Sequence, residues 1–194
     1  MSQIFQEDKI VPVTLVEAGP VIVTQIKTKE KDGYNAIQVG FGHKKEKNQT
    51  KAIRNHLKGV GSFQWLREFW TDENQLKDIK VGDEINVAIF IEGDILKISG
   101  VNKSKGFQGV VKRHGFHGGP KTRGQKNCWR APGSIGATHP QHVMKGRRMA
   151  GRMGGERLTL KNRKIVQIDQ ANNLLMIKGA LPGKKGDLLE IVGQ

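Results

Sequence analysis

The chain has 194 residues and a formal net charge of +15, from 33 basic and 18 acidic side chains. This length fits one domain, or one domain with an appendage, and the charge points to a nucleic-acid partner. The single cysteine, Cys128, excludes an intrachain disulfide and fits a reducing cytoplasm. No run of 18 apolar residues is present, and Met1–Ile10 lacks the basic and apolar regions of a signal peptide. We therefore expect a soluble intracellular protein.

β-branched and alternating residues predict short strands in the first part of the chain. These strands cover 10–17, 21–27 and 34–41, with turns at Ala18-Gly19-Pro20 and Lys31-Asp32-Gly33. The Asp-Gly pair in the second turn is a strong hairpin signal. Pro12 cannot donate a ladder hydrogen bond, so the first strand is expected to lie at a sheet edge or to carry a bulge.

Residues 42–80 have a mixed pattern. A short helix is predicted over 50–58, capped by Thr50 or Asn48. An aromatic cluster follows, made of Phe63, Trp65, Leu66, Phe69 and Trp70. Such rings could form a base-stacking platform, but a cap packed over a small core is the favoured interpretation.

Strands are predicted again from residue 81 onwards. They cover 85–90, 95–101, 157–160, 164–169, 174–178 and 188–192. Short strands at spacings near ten residues predict a mainly β fold, a small closed antiparallel β-barrel with one long insertion between strands. The expected organisation is 1–99 for the first part of the barrel (with 42–80 as a mixed insertion), 100–155 for an extension, and 156–194 for the last strands.

Residues 95–155, here called the basic segment, hold nearly all of the excess charge. Between Asp94 and Glu156 there are thirteen lysines and arginines, thirteen glycines and no acidic residue, and the rest of the chain has 20 basic residues against 18 acidic ones. Ordering a backbone costs roughly 1–2 kcal/mol per residue, and apolar side chains are few here. The expected ordering partner is a dense polyanion, nucleic acid rather than an anionic membrane.

The composition of the basic segment favours folded RNA over an unstructured cationic tail. Its charges alternate with glycine, proline, aromatic and methionine residues instead of forming one run. Arginine forks suit phosphates, and planar side chains stack on unpaired bases.

A zinc enzyme is one alternative, because the histidines and the cysteine are possible zinc ligands. The candidate ligands are His114, His117, Cys128, His139 and His142. Their spacing matches no common zinc pattern, and the positive surroundings disfavour a cation. The glycine clusters form neither a P-loop nor a dinucleotide motif, and the segment has no carboxylate for acid–base chemistry. We expect no enzyme, no metal and no cofactor.

Several sequence motifs occur in an order that identifies a family. They are 104–113 (SKGFQGVVKR), 130–136 (RAPGSIG), 145–154 (KGRRMAGRMG) and Glu156-Arg157, with 32–40 and 178–183 in support. At these residues the chain resembles the universal large-subunit ribosomal protein L-three family, bacterial type, over almost its whole length.

The resemblance implies a translation-protein-like barrel on the cytoplasmic ribosome, with an extension that reaches through large-subunit ribosomal RNA towards the peptidyl-transferase region. It also implies a structural protein that binds this RNA directly, supports early subunit assembly and contacts neighbouring ribosomal proteins, with no membrane or small-molecule substrate. Together with the charge pattern it predicts these RNA contacts: Lys103, Lys105, Lys112, Arg113, Lys121, Arg123, Lys126, Trp129, Arg130, His139, Lys145, Arg147, Arg148 and Arg152. Trp129 and His139 would lie near the turn of the extension. A DNA-binding architectural protein is the other alternative.

Three departures from the family pattern are visible. Residues 1–5 resemble a site some ten residues into the usual sequence, so the first half of the opening strand is expected to be missing. The extension is shorter around 137–140, and Thr138 stands where relatives can carry a methylated glutamine, so that modification is not expected. Residues 50–70 match only loosely.

Overall fold

Strands form most of the regular secondary structure in the computed structural model, which describes residues 1–6, 9–77 and 79–193. The strands are β1 (Ser2–Gln6), β2 (Lys9–Glu17), β3 (Val21–Lys27), β4 (Ala36–His43), β5 (Phe63–Trp70), β6 (Glu84–Ile85), β7 (Ile95–Val101), β8 (Phe107–Gln108), β9 (Gly151–Arg152), β10 (Arg157–Asp169), β11 (Leu174–Lys178) and β12 (Leu189–Gly193). The α-helices are α1 (Lys29–Asp32), α2 (Lys51–His56), α3 (Glu73–Leu76) and α4 (Val110–His114), and 3-10 turns cover Glu46–Asn48 and Val87–Ile89. The predicted mainly β class is confirmed.

The strands are arranged in three sheets. The largest has the order β1-β2-β11-β10-β7-β12, the second has the order β5-β4-β3-β6, and β8 pairs with β9 alone. Pairing is antiparallel along β1-β2-β11-β10, throughout the four-stranded sheet and between β8 and β9. The two larger orders leave β1, β12, β5 and β6 at sheet edges. Among the described residues no sheet closes on itself, so the predicted barrel closure is not confirmed.

The chain divides into two compact units. One consists of Met1–Lys97, Lys161–Ala180 and Val192–Gln194, and the other of Ile98–Leu160 and Leu181–Ile191. The first unit contains the whole of the four-stranded sheet. The second contains nearly all of the basic segment.

One core cluster of the first unit lies on a face of the four-stranded sheet, while other buried side chains, such as Ile165, Leu175 and Ile177, belong to strands of the largest sheet. Val23, Ile37, Val39 and Leu76 are buried and pack together. Ile37 and Val39 are two residues apart in β4, and the period of two in a strand places them on the same face. Phe69 of β5 packs against the same cluster.

Strand β2 corrects the expectation made from Pro12. It is not an edge strand, because it pairs with β1 on one side and β11 on the other, and the pairing shows no register shift at Pro12. The Pro12 carbonyl accepts a 2.9 Å hydrogen bond from Gly179. The proline nitrogen faces the same side in an antiparallel ladder, just past Lys178, the last paired residue of β11. A missing donor costs little at that end of the ladder.

Several predicted elements are found where they were expected. Strands β3, β7 and β11 have the predicted bounds, and the Thr50 hydroxyl caps α2 by accepting a 3.5 Å hydrogen bond from the Ile53 amide. The two strands predicted over 157–160 and 164–169 are one strand, β10, which continues through Asn162 at φ 57°. The β3–β4 hairpin is confirmed, but the helical turn α1 closes it, ending at Gly33 with φ 82°.

The predicted strand over 85–90 is wrong beyond Ile85. Strand β6 ends at that residue, and a 3-10 turn follows in which the Phe90 amide donates to the Val87 carbonyl (3.1 Å). Val87 is 1% exposed, whereas Ile89 is 63% exposed. Because of this turn, the Val87 side chain is buried and the Ile89 side chain, two residues later, lies in solvent.

Candidate nucleic-acid interface

Backbone pairing joins the two ends of the basic segment. The Asn102 amide donates to the Glu156 carbonyl (3.0 Å), and the Lys105 amide donates to the Met153 carbonyl (2.8 Å). Strands β8 and β9 continue this pairing. Residues 109–150 therefore leave and return to the same point of the second unit.

A short helix begins this excursion. Helix α4 starts after Gly109 and ends at Gly115, which has φ 73°. Val110 is only 3% exposed and anchors the helix, while the last turn carries basic side chains, which the helix dipole favours there. This helix is not among the elements predicted from the sequence. Its signal is Gly115, since glycine is the usual left-handed residue after a helix.

The next residues fold back on themselves. The Gly119 amide donates to the Trp129 carbonyl (2.8 Å), and the indole N–H of Trp129 donates to the Gln125 carbonyl. Gly118 has φ 76°, and a Cβ there would overlap the Trp129 carbonyl. Only glycine allows this approach.

Every residue from 132 to 150, here called the exposed loop, is exposed, and no helix or strand forms in it. The exposed side chains include apolar ones, such as Ile135, Val143 and Met144. Burial of apolar surface therefore contributes almost nothing to ordering this loop. Its conformation depends on hydrogen bonds and on whatever covers it.

The fourteen predicted RNA contacts are distributed along the whole excursion. Lys103, Lys105 and Arg152 lie where its ends pair; Lys112 and Arg113 on α4; Lys121, Arg123, Lys126, Trp129 and Arg130 in the folded-back part; and His139, Lys145, Arg147 and Arg148 in the exposed loop. All of them are exposed except Arg113, which is half-buried. The ion pairs Lys27–Glu68 and Arg157–Glu190 lie outside the basic segment. These cations therefore face solvent, and their own segment contains no carboxylate that could pair with them.

Besides Trp129, two of the predicted contacts have side-chain hydrogen bonds that the sequence does not indicate. Arg113 donates from Nη1 to the Met149 carbonyl (2.8 Å), and His114 Nε2 lies 3.0 Å from the same oxygen. Arg147 donates from Nη2 to the Ser134 carbonyl (2.6 Å). No sequence signal marks these acceptors, because every residue carries a backbone carbonyl.

The zinc alternative finds no cluster of ligands. Within residues 1–6, 9–77 and 79–193, no three histidine, cysteine, aspartate or glutamate side chains lie close enough to hold a metal ion. His114, His117 and Cys128 do border one open cleft, together with Gln125 and Arg148. In the same described ranges no helix is long and apolar enough to cross a membrane.

Comparison with known proteins identifies the family. Residues 67–174 match the family model described as Ribosomal protein L3. The chain is 49% identical over 193 residues to the large ribosomal subunit protein uL3 of Dehalococcoides mccartyi, which covers 98% of this chain and 92% of the relative. The chain belongs to the ribosomal protein L3 family.

Two further ribosomal protein L3 relatives are similar over the same length. The large ribosomal subunit protein uL3 of Herpetosiphon aurantiacus is 48% identical over 194 residues, covering 98% of this chain and 91% of the relative. That of Finegoldia magna is 46% identical, covering 98% and 92%. Ribosomal protein L3 is a structural ribosomal protein and not an enzyme, so the predicted family and the non-enzymatic class are both confirmed.

Proposed function

We propose that this chain is a structural constituent of the large ribosomal subunit and binds large-subunit ribosomal RNA directly through residues 100–155. The observation that carries the proposal is the exposed loop, in which every residue from 132 to 150 is exposed within a stretch that has no acidic residue. Phosphates would neutralise the mutual repulsion of its cations, and the release of condensed counterions would favour binding.

Folded RNA fits the interface better than duplex DNA does. Helix α4 has only five residues, too short to lie along a major groove as a recognition helix. Outside it, the backbone is mostly irregular and carries cations next to exposed rings, as at Trp129 and Arg130. Loops of this kind suit the unpaired bases and bulges of folded RNA.

In this proposal the predicted residues have two roles. The lysines and arginines contact phosphates, while Trp129 and His139 contact bases. As the family resemblance implies, the extension would support early subunit assembly and reach towards the peptidyl-transferase region, and neighbouring ribosomal proteins would contact other surfaces of the chain.

The salt dependence of binding tests the phosphate contacts. If about eight of the cations contact phosphate, log K for a large-subunit ribosomal RNA fragment should fall with log salt at a slope of around −5 to −7. Duplex DNA of matched length should compete poorly at the same salt. Equal competition by the DNA would favour the architectural DNA-binding alternative.

Charge reversal tests the proposal in cells. Replacing Arg147 and Arg148 by glutamate should impair assembly of large subunits, seen as a smaller large-subunit peak in sucrose gradients, while the variant stays folded. Lys184 and Lys185 provide the matched control, since they are also adjacent and exposed but lie outside the basic segment. Equal defects in both double variants, or unfolding of the first, would contradict the proposed interface.

A further inference from the structure

We infer that Arg113 and Arg147 brace the backbone of the exposed loop before RNA binds, a role separate from phosphate contact. In the sequence both belong to a uniform set of cations, yet in the structure each guanidinium donates to a backbone carbonyl near an end of the loop. The effect of bracing on RNA affinity rests on the proposed function. The bracing itself does not, since both hydrogen bonds join residues of this chain alone.

The first brace fixes the returning end of the loop to α4. Nη1 of Arg113 and Nε2 of His114 converge on the carbonyl of Met149, at 2.8 and 3.0 Å. Both side chains project from a helix anchored by the buried Val110. A fixed point on the core is thus connected to residue 149 of a loop that has no buried side chain of its own.

Gly151 makes room for this brace. A Cβ at residue 151 would lie 2.7 Å from Nη1 of Arg113, so a side chain there would push the guanidinium away from its present position. The backbone angles of residue 151 do not themselves favour glycine, since its φ is not in the left-handed region.

The second brace closes the loop on itself. Nη2 of Arg147 donates to the carbonyl of Ser134 across thirteen positions of sequence (2.6 Å), and the Ser134 hydroxyl donates to the Gly136 carbonyl (3.0 Å). The contact brings together residues near the two ends of the loop, which restricts the conformations open to everything between them. Arg148 is also exposed, but among the described residues its guanidinium makes no hydrogen bond.

Bracing and RNA binding are compatible in one side chain. A guanidinium has five N–H donors, so a single bond to a carbonyl leaves others for phosphate. Bonds from a charged donor are also stronger than neutral ones. A loop held this way loses less conformational entropy on binding, which is how preorganisation raises affinity.

Arg147 and Arg148 form a matched pair for testing the second brace. Arg147→Gln and Arg148→Gln each remove one charge from adjacent exposed positions, but only the first removes the bond to Ser134. We would measure backbone ¹⁵N order parameters of the full chain without RNA. Residues 135–146 should give values well above 0.6 in the parent and in Arg148→Gln, and fall below about 0.6 in Arg147→Gln. A parent loop already below that level, or an equal loss in both variants, would overturn the inference.

Gly151→Ala tests the first brace without changing any charge. It should weaken binding of a large-subunit ribosomal RNA fragment about tenfold, a ratio equivalent to 1.4 kcal/mol, and leave the salt slope unchanged. Gly193→Ala is the control, because a Cβ there meets nothing within 4 Å and its φ is not in the left-handed region. Binding by Gly151→Ala at the parental affinity would contradict the brace.

A double-mutant cycle separates bracing from general disruption. Arg113→Gln and Gly151→Ala break the same contact, so their effects on affinity should be non-additive, whereas Gly151→Ala and Lys112→Gln should add. Additivity in the first pair would refute the coupling. A failure of the proposed function would give a different result. If Lys112 and Arg148 contact phosphate, replacing either by glutamine should lower the magnitude of the salt slope by about 1. If the chain does not bind RNA through these residues, both variants would leave the salt slope unchanged.

Discussion

Gly154 lies so close to the backbone carbonyl of Lys103 that a side chain at this position would overlap it. Its φ of 77° is in the left-handed region, and it follows Met153, whose carbonyl accepts from the Lys105 amide. The absence of a Cβ thus allows the two ends of the basic segment to approach each other. Everything between them, including the exposed loop, takes its starting geometry from this contact.

Gly154→Ala should therefore destabilise the protein more than Gly106→Ala. Both glycines have positive φ, 77° and 68°, so alanine carries a similar backbone cost at each. A Cβ at residue 106 meets nothing within 4 Å, whereas one at residue 154 meets backbone that cannot move aside cheaply. The free energy of unfolding from urea titration should differ between the variants by about 1–3 kcal/mol. Equal losses would mean that the contact between residues 154 and 103 tolerates the added methyl group.

Phe69 and Trp70 are adjacent in sequence but have opposite surroundings. Phe69 packs against the core cluster of Val23, Ile37 and Val39. Trp70 is 83% exposed and stacks on Tyr34, with ring centroids 5.9 Å apart. At Phe69 the favoured interpretation of the aromatic cluster, a cap over a small core, agrees with the packing, while the ring of Trp70 remains in solvent.

Truncating these two side chains should give different results. Phe69→Ala should lower the free energy of unfolding by about 2–4 kcal/mol, because it removes a large ring from the edge of the core. Trp70→Ala should cost no more than about 1 kcal/mol, the value of one aromatic pair. Urea titration of both variants measures the difference. A cost at Trp70 as large as at Phe69 would show that the exposed ring supports the sheet.

Sequence patterns located the strands where local and tertiary demands agree. Strands β3, β7 and β11 alternate or bury residues as their sequences indicate, and they have the bounds that those sequences predict. The position of β2 inside its sheet could not be predicted from the sequence. Whether a strand lies at an edge depends on which strands pair with it, and one proline does not determine that. Tertiary contacts decided that Pro12 lies past the end of its neighbour.

For the candidate interface, the charge pattern predicts where the interface lies but not what each basic residue contacts. Thirteen cations without a carboxylate define the basic segment from composition alone. Whether an arginine faces solvent or bonds to a carbonyl depends on residues that are distant in sequence but close in the fold. The carbonyl of Met149, which accepts from Arg113, is an example. Arg147 and Arg148 show the limit clearly, since the two are indistinguishable in sequence and differ in their contacts.

Glu68 gives the first unit a dependence on pH. Its carboxylate pairs with Lys27 (2.7 Å) and accepts from the Tyr34 hydroxyl (2.8 Å). These bonds, with Lys27 the larger cause, lower the pKa of Glu68 below its ordinary value of 4.5. A carboxyl whose pKa is lower in the folded state stabilises the protein above its unfolded pKa. The contribution is lost as pH falls through the folded value.

Glu68→Gln should therefore lower the thermal midpoint at pH 7 and have a smaller effect near pH 3. The shift should be no more than a few degrees, because the pair is close to the surface. Scanning calorimetry from pH 3 to pH 7 measures it, with Glu84→Gln, at an exposed position of β6, as the control. A Glu68→Gln deficit that stays constant across this range would indicate that lost packing, rather than charge, destabilises the variant.

Val87 and Ile89 distinguish the 3-10 turn from the strand that the sequence predicts. In a strand, residues two apart share a face, so truncating either would have a similar cost. In the structure only Val87 is buried. Val87→Ala should lower the free energy of unfolding by about 1–3 kcal/mol, while Ile89→Ala should stay within about 0.5 kcal/mol of the parent. Comparable losses in urea titration would restore the strand and place Ile89 in the core.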